Sequence, residues 1–326
     1  MTADPASGRP WPFARDAATA TRIASLQGSI GDRLIAHVLD LATSRMTDTG
    51  ALGDRSLVSA AEVADIVGTF RLASVREAAL LALPAAATIA RPPISGYHVG
   101  AVGVATTGEL VLGGNLEFPG ASIHHTVHGE GFVTLRARTL GLALEALAIS
   151  EARPCAHCRQ VLAEMAWGDR LRLIDPLGAD VSLWDVYPAP FTPGDLGAQP
   201  AGRAAVSVRP RAVTAAEVPA DVAALLATTA QRAHAPYSLE PAAVAVRVAD
   251  GRLFAGAVLE SVAFNPTIGP LQDALVALAA SAVPFDAIRK GWLATFRGAR
   301  VGHESAVRDL LAAVAPEASL HATYWA

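Results

Sequence analysis

Thr126-Val127-His128-Gly129-Glu130-Gly131, followed after a gap by Pro154-Cys155-Ala156-His157-Cys158-Arg159-Gln160, is the pair of segments around which this chain is organised. Together they supply an imidazole, a carboxylate and the only two cysteines in 326 residues. Zinc takes nitrogen and thiolate ligands in a tetrahedron, and a catalytic site uses three protein ligands and leaves the fourth position for water. His128, Cys155 and Cys158 make that set. Glu130 is then left without a structural duty. A metal-held water needs a nearby group to take and return its proton, and a carboxylate two residues from a ligand suits that role. Alone, Cys-x-x-Cys also suits a redox pair. The order of the pieces, with Pro154 before the first cysteine, favours the metal.

Composition bounds the rest. The length fits two domains of ordinary size, and 52% hydrophobic against 17% charged residues fill a large core. Net charge is −4 and the pI about 6.1, with no basic run or arginine stripe, which argues against a nucleic-acid partner. Two cysteines three positions apart do not staple a secreted fold, so a reducing compartment, the cytoplasm, is expected. Met1 to Arg15 is polar, carries Pro5, Pro10 and Pro12, and lacks the apolar core of a signal peptide. The longest apolar run, Ala78 to Ala90, contains Pro84 and Thr88 and is too short to span a bilayer, so no membrane partner is expected.

Ile23, Leu26, Ile30, Leu34, Val38 and Leu41 recur at helical spacing and predict a helix from about Ala17 to Ser44. Ser59 with Glu62 is a capping box opening a second helix. Val75 to Ile89 reads as a third, interrupted near Pro84. After Pro92-Pro93 the pattern changes. His98 to Ala105 reads as a strand, Thr107-Gly108 as a turn and Glu109 to Leu112 as the returning strand. Ser122 is the expected N-cap of the helix carrying His128 and Glu130. Leu142 to Ile149 is a strand, Cys155 to Met165 a helix, and Leu171 to Ile174 and Val181 to Val186 two more strands. Both ligand sets thus fall near helix beginnings, where free amides and the positive helix end favour thiolates. The alternation predicts a mixed α/β sheet with helices on its faces.

Asp195 to Arg211 is rich in Gly, Pro and Ala and reads as a linker. Beyond it lies an internal repeat: Ser95, Gly108 and Glu117 are matched by Ser238, Gly251 and Glu260 at a constant offset of 143. Carried forward, that offset puts Leu271 at the slot of His128 and Asp273 at that of Glu130. The second copy has no cysteine, so it keeps the fold and has lost the metal. Covering or pairing with an active copy is its natural role, which suggests a homodimer. The expected organisation is residues 1–58 as an N-terminal helical segment, 59–194 as the catalytic copy, 195–211 as linker and 212–326 as the degenerate copy.

His-x-Glu followed by Pro-Cys-x-x-Cys is the general signature of zinc-dependent nucleobase deaminases. Added to it are Asn115-Leu116-Glu117-Phe118 and, in the second copy, Ala263-Phe264-Asn265-Pro266-Thr267. With these, the chain resembles the long, dimeric bacterial cytidine deaminases from about Ser59 onward. The resemblance implies a duplicated three-layer α/β/α fold. It implies Zn2+ held by His128, Cys155 and Cys158, and Glu130 moving protons between the attacking water, the pyrimidine ring and the departing ammonia. Asn115 and Glu117 would bind the ribose hydroxyls, and Tyr97 would pack against the base. Phe118, beside Glu117, either lines the substrate pocket or fills core. The implied substrate is a small pyrimidine nucleoside, cytidine or 2'-deoxycytidine, attacked by zinc-bound hydroxide.

Three departures bear on substrate. Gly129 stands where the family usually has Ala, and Gly131 where a longer side chain is usual. Arg153 precedes Pro154 and either meets an anionic substrate group or lies in solvent. A second reading is therefore a deaminase of a modified cytosine nucleoside or nucleotide. A third is a non-catalytic homologue with a structural zinc, against which Glu130 argues. His124 and His125 lie one turn before His128 and read as loop packing, since three ligands are already present.

Overall fold

A computed structural model of the chain describes residues 12–48, 53–150, 153–202 and 218–325. A single helix, α1 (Ala17–Asp48), opens the described chain and runs four residues past its predicted end. Ile23, Leu34 and Val38 are buried along one stripe, with Leu26, Ile30 and Leu41 packed beside them. A short strand β1 (Leu57–Val58) leads to α2 (Ala60–Thr69), whose Ser59–Glu62 capping box is reciprocal as the sequence predicts. Pro84 splits the next helical stretch into α3 (Val75–Leu81) and α4 (Leu83–Ala87).

The first sheet follows. Strands β2 (Gly100–Ala105) and β3 (Leu110–Gly114) form the hairpin, with Gly108 at φ 100° in its turn. Helix α5 (Gly129–Leu140), strand β4 (Leu144–Ile149), helix α6 (Ala156–Ala163) and strands β5 (Arg172–Ile174) and β6 (Asp180–Ser182) complete it. The order is β1-β3-β2-β4-β5-β6, mixed as expected, with β4 and β5 parallel. Side chains alternate across the sheet. A Cβ on Gly100 would strike Leu83 of α4, whereas one on Gly103 would strike Val133 of α5, so β2 is sandwiched between the two helices. The predicted strand from Val181 to Val186 stops early. Ser182 and Asp185 form a reciprocal capping box and turn the chain into α7 (Leu183–Val186).

The expected linker begins later than its composition suggests. Asp195 caps a helical turn at Pro193–Leu196, and Ala201 bonds back to Glu164 and Ala166, so residues 195–202 are held against the first copy. The rest, 203–211, lies outside the described residues.

The second copy holds α8 (Ala220–Ala230), β7 (Ala243–Val248), β8 (Leu253–Ala257), α9 (Pro270–Ala280), β9 (Ile288–Thr295), α10 (Glu304–Val314) and β10 (Ser319–Tyr324). Its sheet, β10-β9-β7-β8, repeats the β5-β4-β2-β3 core of the first, including the one parallel pair. Each sheet lies between helical layers, which is the three-layer α/β/α architecture. The repeat is not uniform in register. Leu116 bridges Val127, eleven residues on, whereas its counterpart Leu259 bridges Ile268, only nine on. The second loop is thus two residues shorter. Gly269, not Leu271, stands at the slot of His128, and Leu271, not Asp273, at that of Glu130.

Helices α5 and α9 meet, and one apolar core runs through both copies, joining Leu116, Phe132 and Leu135 to Leu271, Leu275 and Leu278. Asp273 faces across this junction. It is buried, accepts a bond from Ala257 N at 2.8 Å, and lies in the field of Arg138 on α5. Burial pushes its carboxyl up and Arg138 pulls it back. Arg138 itself donates to the carbonyls of Arg232 and Val258 at 3.1 Å each. Arg138→Met leaves two second-copy carbonyls without their charged donor and the buried Asp273 without the cation that offsets its burial. It is expected to cost roughly 2 kcal/mol, and adding Asp273→Asn to recover part of it, read from denaturant midpoints of the single and double variants.

Candidate functional site

His128 has extended backbone, φ −75° and ψ 163°, and is itself the N-cap of α5. Ser122 instead precedes a separate turn at Ile123–His125, which corrects the predicted cap. The His128 side chain makes no capping bond, so its ring is not spent on the helix. Cys155 is likewise the N-cap of α6, and Cys158, one turn in, donates its amide to Cys155 Sγ at 3.4 Å. Two helix starts therefore face each other across the ends of β2 and β4. Nδ1 of His128 lies 3.5 Å from Cys155 Sγ and 3.6 Å from Cys158 Sγ. The three form the group suited to a metal among the described residues, with all ligand atoms within 4.8 Å. Tetrahedral zinc, at about 2.3 Å from sulfur and about 2.0–2.1 Å from nitrogen, sets a sulfur–nitrogen separation of roughly 3.6 Å. The observed spacing fits that ion.

The donor chemistry agrees. Cys155 is pushed down to about 3, first by the hydrogen bond from Cys158 and then by His128 and the Cys158 amide. The Cys158 thiol is pushed up by that same bond and by burial. One thiolate is thus already favoured, and a divalent cation replaces the proton of the other. The His128 ring is raised, chiefly by its bond to Cys155.

Glu130, one residue into α5 beyond Gly129, is only 7% exposed. Burial pushes its carboxyl up, while the charge of His128 and a bond with Cys158 oppose the shift. It opens on a cavity of about 430 Å³ that also meets Ser95, Tyr97, Asn115, Glu117 and Arg153. Glu117 accepts from the amides of Ile94 and Ser95, each at 2.9 Å, and from Ser95 Oγ at 2.6 Å. Burial works against its charge, but these bonds outweigh it and hold the carboxyl below its usual range. The Asn115 amide accepts from Val99 N and donates to Tyr97 O, both at 2.9 Å. Both residues therefore shape the rim that carries Tyr97, which is 68% exposed.

Not every expected residue reaches the cavity. Phe118 takes the second of its two readings: it is 2% exposed, packs against Phe285 at 5.8 Å between ring centroids, and belongs to the core rather than to the cavity wall. Arg153 stands on the wall rather than in open solvent. His125 pairs with Asp309 at 3.2 Å and is not a ligand. His124 and His157 line a second cavity, about 380 Å³, on the other side of the metal residues and bounded by Asn265, Thr267 and Gln272 of the second copy. Ser95 and Ser150 were not singled out as site residues from sequence. The repeat pairing of Ser95 and Glu117 with Ser238 and Glu260 carried the signal for Ser95: Glu260 accepts the amides of Tyr237 and Ser238 in the same way.

Known proteins are consistent with this geometry. Family models for the cytidine and deoxycytidylate deaminase zinc-binding region match residues 74–170 and, separately, 183–308. These matches define a class of zinc-dependent deaminases, and zinc is the metal for which the three donors are set. A cytidine deaminase of Shewanella sp. is 32% identical over 259 residues, covering 79% of this chain and 86% of that protein. One from Klebsiella pneumoniae is 36% identical over 242 residues, covering 71% and 78%. The chain belongs to the cytidine deaminase family. A solved cytidine deaminase from Mycobacterium tuberculosis aligns at 32% identity with a TM-score of 0.30, over 32% of this chain and 88% of that one.

The two unusual glycines differ. A Cβ at Gly129 would lie 3.1 Å from that of Ala101, so the helix start approaches β2 too closely for a side chain to enter freely. At Gly131 a Cβ would find Val127 at 3.5 Å and Ile268 at 3.9 Å, ordinary contacts beside the second cavity. Gly131→Ala is expected to stabilise by about 1 kcal/mol through helix propensity, seen as a raised melting temperature. Gly129→Ala is expected to gain nothing.

Proposed function

We propose that this chain hydrolyses cytidine and 2'-deoxycytidine to the corresponding uridines and ammonia, with residues 59–194 as the catalytic copy and 212–326 as a metal-free partner domain. The observation that carries the reading is Glu130. It is a buried carboxyl, raised by burial, beside three zinc donors and facing a cavity of nucleoside size. A structural zinc site has no use for it.

His128, Cys155 and Cys158 would hold the zinc, which when bound would bring the pKa of a water toward neutrality. Everything else falls to the chain. Glu130 is placed to take one proton of the attacking water and pass it to the pyrimidine ring nitrogen, then to carry the water's second proton to the amino group, which leaves as ammonia while the water's oxygen stays on the ring carbon. Its raised pKa suits a group that must both accept and release. Asn115 and Glu117 hold the ribose hydroxyls: an Asn amide and a carboxylate keep further bonding capacity beyond the partners they already have. Tyr97 lies against the base. Glu130→Gln is expected to retain zinc by elemental analysis while kcat falls by about 10²-fold or more. Unchanged turnover of cytidine, followed by the loss of its ultraviolet absorbance, would remove Glu130 from the mechanism.

A second substrate reading rests on Arg153, which brings a guanidinium to the wall of the same cavity. It favours cytosine nucleosides bearing an anionic substituent. Across a panel of cytidine, cytidine monophosphate and substituted cytosine nucleosides, Arg153→Ala is then expected to raise KM for the anionic members only. A uniform effect on all members speaks for plain cytidine.

The acting form is a homodimer in the cytoplasm. Ile94, Tyr97, Ile123 and Phe264 leave large apolar side chains exposed, and pairing with a second copy would cover such side chains. Among the described residues no helix is long and apolar enough to cross a membrane.

A further inference from the structure

Glu164 has no part in the chemistry above, yet it is among the most completely buried charged residues described, at 0% exposure. It is the C-cap of α6, the helix that begins with Cys155 and contains Cys158. A carboxylate in a dry interior is tolerated only when its oxygens are bonded. Each of the partners that satisfy it comes from the second copy. His234 Nε2 lies 2.8 Å from Oε1, the Tyr237 hydroxyl donates to the same oxygen, and the Val262 amide donates to Oε2 at 2.9 Å. Tyr237 is held edge-on by His234 and tilted against Phe264.

The placement joins two parts of the metal surroundings. On one side Glu164 ends the helix that presents both thiols. On the other, Val262 begins the segment whose Asn265, Pro266 and Thr267 form a wall of the cavity shared with His128, Cys155 and Cys158. One carboxylate thus sets the register between the thiol-bearing helix and the facing wall. Its backbone carbonyl also holds Ala201 at 2.8 Å, which ties down the chain leaving the first copy.

We propose that Glu164 is a positioning residue through which the metal-free copy, by way of Tyr237, His234 and the Val262 amide, holds the zinc helix in its binding geometry. Zinc affinity then depends on side chains of a copy that has no ligand of its own.

The test measures zinc affinity of the purified full-length protein by chelator competition, with melting temperature recorded in parallel. Glu164→Ala is expected to weaken zinc binding by about tenfold, the low end for residues that support metal ligands from outside. Glu164→Gln keeps the volume and is expected to fall between. Tyr237→Phe removes one hydroxyl and is expected to weaken zinc in the same direction. The Glu164→Ala/Tyr237→Phe double variant should bind zinc no worse than Glu164→Ala alone. Leu226→Ala is the control. It sits in a core cluster of second-copy residues only and lowers stability without touching the node. If Leu226→Ala weakens zinc as much as Glu164→Ala for the same loss of melting temperature, or if Tyr237→Phe leaves zinc affinity unchanged, the proposal is overturned. Where Glu164→Ala fails to fold, Tyr237→Phe and Glu164→Gln decide the matter. Failure of the unaltered protein to bind zinc is a different result and counts against the proposed function itself.

Discussion

Three soft donors held a few ångströms apart are the constraint from which the rest of the molecule follows. Neither thiol nor imidazole would remain at that separation in a flexible chain, because ordering them costs conformational entropy. The fold meets the cost by making His128 and Cys155 the caps of two helices whose starts are aimed at each other by neighbouring strands β2 and β4. A cap is the one helical position with extended backbone and a side chain turned over the helix end. The usual cap residues spend that side chain on the amides behind it. His128 does not, and Cys155 does so only through a weak sulfur contact, so both remain directed at the shared centre.

Duplication gives a control within the same chain. Ser95 and Glu117 in the first copy, and Ser238 and Glu260 in the second, make the same bonds between a loop and a carboxylate. Retention of that arrangement in a copy without cysteines shows that the carboxylate has an architectural part, to which any contact with ribose is an addition. The cap position tells the opposite story: Gly269 stands where the first copy has His128, and the loop before it is two residues shorter. The scaffold is repeated and the donor set is not.

The legible parts of the sequence were those set by local chemistry. The Ser59–Glu62 box, the hairpin at Gly108 and the break at Pro84 each depend on residues close together, and each stands where the sequence places it. The ligand triad joins residues 27 positions apart and is legible through the spacing of its two motifs instead. What was not legible depended on distant partners or on a local choice between two good options. Phe118, beside Glu117, suits a pocket wall or a core equally well in sequence, and the choice is decided by Phe285 in the other copy. Val181 to Val186 carries apolar residues suited to a strand, yet the Ser182–Asp185 box wins and bends it into a helical turn. A uniform offset between copies could not reveal the shortened loop, because the motifs that fixed it all lie upstream. Glu164 carried no signal at all, since nothing adjacent in sequence announces a buried carboxylate whose donors lie seventy and more residues later.

The apolar core common to α5 and α9 has a consequence for truncation. Leu271, Leu275 and Leu278 complete a surface begun by Leu116, Phe132 and Leu135. A chain cut back to its first copy would bare that seam to water and leave the buried Glu164 without its donors at the same stroke. The second half thus holds its place through what its absence would uncover.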